Sequence, residues 1–318
     1  MECAVKLLRG QQPRLAPERD TVVTVGNFDG VHLGHRQLLQ GLLDYARSHG
    51  LDTAVVLFEP QPREFFMGAA AAPPRLYSLR DKVIALRDMG IDWVWVLRFN
   101  AELAAEEPED FALARLHGHL RARHVVVGDD FRFGARRRGD LELLQALGRE
   151  HGFTAVGTRS FIAARQRVSS TAIREALQRN DFATAEALLG HPYCMSGKVI
   201  YGQQLGRQLG FPTANIAIGH QRWAVDGVYR VWARLETDGE RMPAIANVGV
   251  KPSFAHLGPL LEVHLLQHNP NLYGRPLIVE FIEKVRDARK FDSLDELKQQ
   301  IHNDIATARE AFAGQRTD

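Results

Sequence analysis

The β-branched run Thr21–Val25 ends in Gly26-Asn27-Phe28-Asp29-Gly30-Val31-His32-Leu33-Gly34-His35. Such a run reads as a buried strand, and Gly26 and Gly30 permit a tight turn at its end. Leu38, Leu39, Leu42, Leu43 and Ala46 recur at helical spacing from Gly34 onward, so a helix follows at once. A strand, a glycine turn and an immediate helix open a βαβ unit and commit this part of the chain to a parallel sheet. His32 and His35 then fall on the first helical turn and face roughly the same way. Backbone N–H groups at a helix start favour an anion, and imidazoles beside them add donors that can follow charge developing on a phosphoryl oxygen. One histidine there would read as a cap or a surface residue. The spacing His-x-Gly-His after a strand and a glycine turn points instead to a phosphate site.

Strands and helices go on alternating. Strands are expected at Asp52–Phe58, Ile91–Phe99, His124–Val127 and Phe153–Val156, and helices at Ser78–Met89, Glu109–Leu120 and Leu141–Arg149. The pattern predicts a Rossmann-like, doubly wound parallel sheet, whose ligands bind beyond the carboxyl ends of the strands. The unusual residues cluster there: Gly26 to Asp29, Phe58-Glu59-Pro60 and Gly128-Asp129-Asp130-Phe131-Arg132-Phe133-Gly134. Ala69 to Pro74 reads as a flexible loop.

With 318 residues the chain is long enough for two domains, divided here as 1–188 and 189–318. Forty basic against 38 acidic residues argue against a dedicated nucleic-acid binder, although Arg136-Arg137-Arg138 could help attract an anionic substrate. Cys3 and Cys194 lack metal-ligand spacing and suit a reducing cytoplasm. No apolar stretch reaches membrane-spanning length, and the N-terminus has no signal-peptide pattern.

Arg167-Val168-Ser169-Ser170-Thr171-Ala172-Ile173-Arg174 leads into the helical pattern Ile173, Ala176, Leu177. Its hydroxyls could cap that helix, or could hold a triphosphate whose charge Arg167 and Arg174 neutralise. Gly-Asn-Phe-Asp-Gly-Val-His-Leu-Gly-His, Gly-Asp-Asp-Phe-Arg-Phe-Gly and Arg-Val-Ser-Ser-Thr-Ala-Ile-Arg, in this order, resemble the N-terminal module of bacterial bifunctional riboflavin kinase/FAD synthetases. That module belongs to the nucleotidylyltransferase superfamily.

After about Leu189 the chain becomes short alternating segments broken by Gly and Pro. Strands are expected at Ser196–Tyr201, Gly227–Leu235, Ala244–Val248, Leu260–Leu266 and Pro276–Lys284, forming a small β-barrel. On Gly227–Leu235, Tyr229, Val231, Ala233 and Leu235 share one face and Arg230, Trp232 and Arg234 the other. A final helix, Leu294–Ala313, opens with Ser293 and Glu296 in capping-box spacing and carries the stripe Leu297, Ile301, Ile305, Ala308, Phe312. No Gly-Lys-Ser/Thr phosphate loop or protein-kinase catalytic loop occurs.

The run from Gly202 through Gly206 and Gly210 to Pro212-Thr213-Ala214-Asn215 could be turn chemistry alone. It resembles the ATP loop of the riboflavin kinase module, in which Thr213 and Asn215 would supply oxygen ligands to Mg²⁺ and its phosphates. Glu262 lies opposite Leu261, Val263 and Leu265, and alternation alone makes it an exposed carboxylate. The resemblance makes it the base that accepts the proton of the ribityl hydroxyl, ahead of Leu272-Tyr273-Gly274. The chain departs from the family at Gln61, often a histidine there, at Val250 to Ser253 and at Gln267 to Pro270, all bearing on the flavin pocket.

The resemblance implies two ATP-dependent steps on one cytoplasmic chain: riboflavin to FMN in the barrel, then FMN to FAD in the first domain. Catalytic roles fall on His32, His35 and Glu262. Nucleotide contacts fall on Gly26, Phe28, Asp29, Gly34, Asp130, Arg167, Ser170, Thr171 and Arg174 in the first domain, and on Gly202, Gly206, Gly210, Pro212, Thr213 and Asn215 in the barrel. The rival readings are a nucleotidylyltransferase for another phosphate ester with a regulatory barrel, and a sensor without activity. Formation of FMN from riboflavin, ATP and Mg²⁺ excludes both.

Overall fold

The computed structural model describes residues 5–11, 13–158, 161–163, 166–201, 210–219, 222–236, 239–250, 259–267 and 270–314. The chain divides into two compact units, Met1–Pro73 with Leu79–Ser170 and Pro74–Ser78 with Thr171–Asp318.

In the first unit Thr21–Val25 forms β2, and every residue of it is buried. A strand apolar on both faces needs helices on both sides, which is why this sheet is parallel throughout. Its order is β1 (Lys6–Arg9), β4 (Trp93–Arg98), β3 (Asp52–Glu59), β2, β5 (Ala122–Gly128), β6 (Thr154–Thr158). From β2 the chain winds outward through β3 to β4, then returns to place β5 on the other side of β2. The winding reverses between β2 and β5, where such sheets open a crevice at the carboxyl ends of their strands. The loops after these two strands are Gly26 to His32 and Asp129 to Gly134.

The helices are α1 (Leu33–His49), α2 (Pro62–Met67), α3 (Leu79–Asp88), α4 (Ala101–Ala105), α5 (Pro108–Asp110) and α6 (Leu141–His151). The expected helix Glu109–Leu120 is only partly an α-helix: α5 continues as a π-helical segment, Phe111–His119. The wider turn brings Phe111, Ala112 and Leu116 into the core, and Leu120 N–H reaches back to Arg115 O at 3.0 Å. β1 was not expected. It is an edge strand held by parallel pairing to β4, with Lys6 Nζ 4.4 Å from the Trp93 ring centre.

A short antiparallel pair, β7 (Ile162–Ala163) and β8 (Gln166–Arg167), closes the first unit, and the second begins in α7 (Ser170–Gln178), followed by α8 (Phe182–Leu189). An antiparallel closed barrel follows, in the order β10 (Ala214–Ala217), β13 (Pro259–Leu265), β12 (Met242–Val250), β11 (Gly227–Leu235), β14 (Pro276–Arg286), β9 (Cys194–Ile200). Tyr229, Val231, Ala233 and Leu235 are buried as one face of β11. The opposite face is covered as well, because α9 (Leu294–Gly314) lays Ile305, Ala308 and Phe312 against Phe211, Val228, Ile245 and Leu266. Arg230 is consequently buried, its Nε 2.7 Å from Glu283 and its guanidinium 4.9 Å from the Phe312 ring centre. Ser293 caps α9 through Glu296 N–H, while the Glu296 carboxylate accepts from Asp292 N–H, one residue short of a reciprocal box.

The segment Pro74–Ser78 lies in this unit although its chain neighbours lie in the other. Arg75 N–H donates to Arg222 O at 2.8 Å, and Tyr77 Oη lies 3.0 Å from His191 Nε2. Arg75, Leu76 and Tyr77 are buried, so the loop expected at Ala69 to Pro74 leads directly into a packed strip.

Candidate functional site

The first site is built on the turn between β2 and α1. Phe28, Gly30 and Val31 take left-handed φ values of 45°, 83° and 39°. That path folds the Phe28 ring back over the strand end, where a Cβ on Gly26 would meet it at 3.0 Å, so the glycine makes room for the ring. His32 is the N-cap of α1, one residue before the helix, and its Nδ1 accepts from His35 N–H at 3.3 Å. The two imidazoles stack with centroids 3.6 Å apart and planes 13° from parallel, and Phe28 packs on His35 at 4.9 Å.

This arrangement decides protonation. The acceptor Nδ1 of His32 cannot carry a proton while it caps the helix, so neutral His32 holds its proton on Nε2. The Nδ1 of His35 is buried without a hydrogen-bond partner, and a bare lone pair costs less there than an unsatisfied N–H. Burial first, then the neighbouring His32 and Lys82, push the His35 pKa well below the ordinary histidine value. Both rings therefore offer Nε2–H as donors.

Of the other expected residues, Gly34 lies beside the His32 ring, and Ser170 Oγ donates to Asp29 O at 2.9 Å. Asp29 is buried and faces Lys82. Asp130 is exposed in the loop after β5, within 3.5 Å of Arg167, which also reaches Asp129 at 3.4 Å. Thr171 and Arg174 belong to the second unit, where Arg174 Nε donates to Pro74 O at 2.6 Å. In the expected basic patch, Arg138 pairs with Glu107. The sequence reading missed an aromatic group at the carboxyl ends of β3 and β4. Phe65 and Phe66 on α2 are exposed and pack edge-on against Phe99, which in turn meets Phe58. The signal was two adjacent phenylalanines in the short segment that follows the end of β3.

The second site lies on the barrel. Cross-strand register sets Asn215 of β10 and Asn247 of β12 on either side of Glu262 of β13. Asn247 Nδ2 donates to Glu262 Oε2 at 3.4 Å. Glu262 is 8% exposed, which corrects the exposed carboxylate that alternation predicted. Alternation assumes a wet outer face, and here both faces of the strand are covered. A cavity of about 380 Å³ is lined by Pro212, Thr213, Asn215, Val263 and Tyr273, among others. Tyr201 and Tyr273 stack with centroids 4.1 Å apart. His264 Nδ1 lies 2.8 Å from Pro212 O and pins the Pro-Thr-Ala-Asn run to β13. Gly210 sits before that run with φ 92°, while Gly202 and Gly206 lie outside the described residues. Among the described residues no group of three or more His, Cys, Asp or Glu could hold a metal ion. The donors at the cavity are the Thr213 hydroxyl and the Asn215 carboxamide, hard oxygens of the kind Mg²⁺ takes beside substrate phosphates.

The model of the FAD synthetase family matches residues 15–172, and that of the riboflavin kinase family residues 189–312. A protein from Escherichia coli strain K12, named bifunctional riboflavin kinase/FMN adenylyltransferase, is 47% identical over 97% of this chain and 98% of its own length. Proteins of the same name from Haemophilus influenzae and Pseudomonas fluorescens are 44% and 43% identical, over 97% and 96% of this chain and 99% and 97% of their own. A solved structure described as a macrolide-efflux protein from Streptococcus pneumoniae superposes with a TM-score of 0.73 at 26% identity, covering 93% of this chain and 96% of that one. Two family models in the same order as the two units, and relatives aligned almost end to end, place the chain in the bifunctional riboflavin kinase/FMN adenylyltransferase family.

Proposed function

We propose that the barrel phosphorylates riboflavin to FMN with ATP, and that the sheet domain transfers the adenylyl group of a second ATP to FMN, giving FAD and pyrophosphate. The observation that carries this reading is the separation of the two sets of chemical groups: the stacked imidazoles at the switch point of the sheet, and the buried Glu262 between two asparagines on the barrel. The family spans support a functional division of the chain at about residues 188 and 189.

In the kinase step Glu262 accepts the proton of the ribityl primary hydroxyl as that oxygen attacks the γ-phosphorus, and ADP leaves. Its burial and the hydrogen bond from Asn247 fix the carboxylate in one place, as a base that must meet a bound hydroxyl requires. Thr213 and Asn215 would hold Mg²⁺ together with the ATP phosphates, with Gly202, Gly206, Gly210 and Pro212 shaping the loop around them. The ion, when bound, neutralises phosphate charge. Positioning does the rest.

In the adenylyl step a phosphate oxygen of FMN attacks the α-phosphorus directly. The Nε2–H groups of His32 and His35 donate to the oxygens of the crowded phosphorus centre, where charge builds up. Gly26, Phe28 and Gly34 keep the approach open, and Asp29 holds the turn from inside. Arg167 and Ser170 bind the departing pyrophosphate, a part given to Thr171 and Arg174 on the sequence run alone. Asp130 lines the rim. Phe65, Phe66 and Phe99 offer the flat apolar surface that an isoalloxazine ring requires. No helix among the described residues is long and apolar enough to cross a membrane. Two cysteines in 318 residues suit a cytoplasmic setting, where thiols stay reduced.

Chromatography of flavins from incubations with ATP and Mg²⁺, begun once with riboflavin and once with FMN, tests the proposal. FMN followed by FAD in the first and FAD in the second are expected. FAD from added FMN without any FMN from riboflavin would leave only the adenylyl half standing.

A further inference from the structure

Lys82 has no part in the chemistry above, yet its side chain is only 2% exposed. It stands on α3 with its Nζ 4.0 Å from Oδ1 of Asp29, itself 3% exposed. An ammonium group so far from water survives as a cation only beside a negative partner, and the carboxylate needs the cation equally. Asp29 is the second residue of the turn whose φ values of 45°, 83° and 39° at Phe28, Gly30 and Val31 are otherwise costly for Phe and Val. That turn carries the Phe28 ring against His35 and delivers His32 to its capping position. A buried ion pair therefore grips the turn that carries the imidazoles, and its cation lies close enough to act on His35.

We propose that Lys82 is a positioning residue for adenylyl transfer: its buried ammonium, paired with Asp29, locks the turn Phe28–Val31 and keeps a fixed positive charge beside His32 and His35. The inference rests on the reading of the two histidines as the adenylyl-transfer site. Fixing the turn matters because a displacement of about 1 Å at a phosphoryl centre costs about a hundredfold in rate. The charge matters because a cation that need not reorient stabilises negative charge developing on the α-phosphate. It also bears on protonation. The titratable groups that act on His35 are His32 from the cap and Lys82 from α3, the latter paired with Asp29 of the turn, and the cation works with burial to hold His35 neutral. Removing a positive charge raises the pKa of a neighbouring base, so a neutral residue at position 82 lets His35 protonate at higher pH.

The test uses the full chain with Lys82→Met, Lys82→Arg, Asp29→Asn and the Lys82→Met/Asp29→Asn double variant. FAD formation from FMN is followed against pH, FMN formation from riboflavin serves as the internal control, and the His35 C2–H resonance is titrated by NMR. Lys82→Met is expected to lower kcat for FAD at least about tenfold with little change in KM for ATP, and to move the His35 midpoint upward. Lys82→Arg is expected to return that midpoint toward the wild-type value. The double variant is expected to be no worse than Lys82→Met alone, as for two residues acting as one pair. Full FAD formation in Lys82→Met, or a fall in activity with the His35 midpoint unmoved and no coupling in the cycle, overturns the inference. Full activity in His35→Ala overturns the underlying reading instead, so the two failures are distinct.

Discussion

Replacing Gly34 by alanine should make the first unit more stable and the adenylyl reaction far slower. Gly34 is the second residue of α1 and has no left-handed φ to preserve. An added Cβ would lie 3.4 Å from the His32 ring and 3.5 Å from Phe161 Cβ, ordinary contact distances. Glycine in a helix costs about 0.5–1 kcal/mol relative to alanine through the freedom it gives the unfolded chain. Near a helix end we take about 0.5 kcal/mol, a rise in Tm of about 1–2 °C for a unit of this size. The methyl group would also stand beside Nδ1 and Cε1 of His32, in the approach a phosphate must take to the helix start. Pushing the α-phosphate outward by about 1 Å costs about a hundredfold, near 2.7 kcal/mol. Calorimetry gives the first quantity and FAD formation from FMN the second. An unchanged rate would show that no phosphate approaches this helix start, and a destabilised protein would show that the glycine serves packing.

Further expectations follow from the separation of the two sites. His35→Ala should stop FAD formation while FMN accumulates from riboflavin, and Glu262→Ala should stop riboflavin consumption while added FMN still becomes FAD; chromatography of both mixtures checks this, and loss of both steps in a folded variant refutes it. Stability should fall on acidification. His35, His124 and His264 all have pKa values lowered chiefly by burial, so below the ordinary histidine value of about 6.5 the unfolded chain takes up protons that the folded chain refuses. Above about pH 7 these groups are neutral in both states, so Tm should be flat there and should drop by several degrees toward about pH 5.5 in a thermal melt. Asp304 accepts from Arg286 Nε at 2.9 and 3.0 Å and from Gln300 Nε2 at 2.6 Å, so Asp304→Asn should cost about 3 kcal/mol and lower the barrel's Tm by about 8 °C in calorimetry.

Most of what positions the sites could be read from local pattern. Thr21–Val25 and Gly227–Leu235 are strands with the boundaries that alternation and branching indicate, because each has a glycine at its edge and a uniform face. The histidine spacing was enough to place both rings at one helix start. Other features depended on contacts between distant residues. β1 exists through pairing with β4, 87 residues away in sequence (Lys6 opposite Trp93), and Lys6-Leu7-Leu8-Arg9 has no pattern of its own. The π-helical turn at Phe111–His119 answers to the sheet it packs on. Glu262 read as a surface charge, and alternation put Arg230 on a second face without saying that it is buried, because a strand cannot announce what will cover that face. Lys82 was invisible for the same reason: on α3 it looks like any solvated lysine until Asp29 is seen beneath it.

The strip Pro74–Ser78 makes the backbone pass from one folded body to the other three times instead of once. A barrel produced by itself from residue 171 or 189 onward would lack Leu76, none of whose surface reaches solvent, together with the hydroxyl that Tyr77 brings to His191. Such a fragment would begin life with a vacant slot where a neighbouring gene segment once supplied the filling. A synthetic peptide carrying that strip, added in trans, is the natural complement for anyone who wishes to study the halves apart.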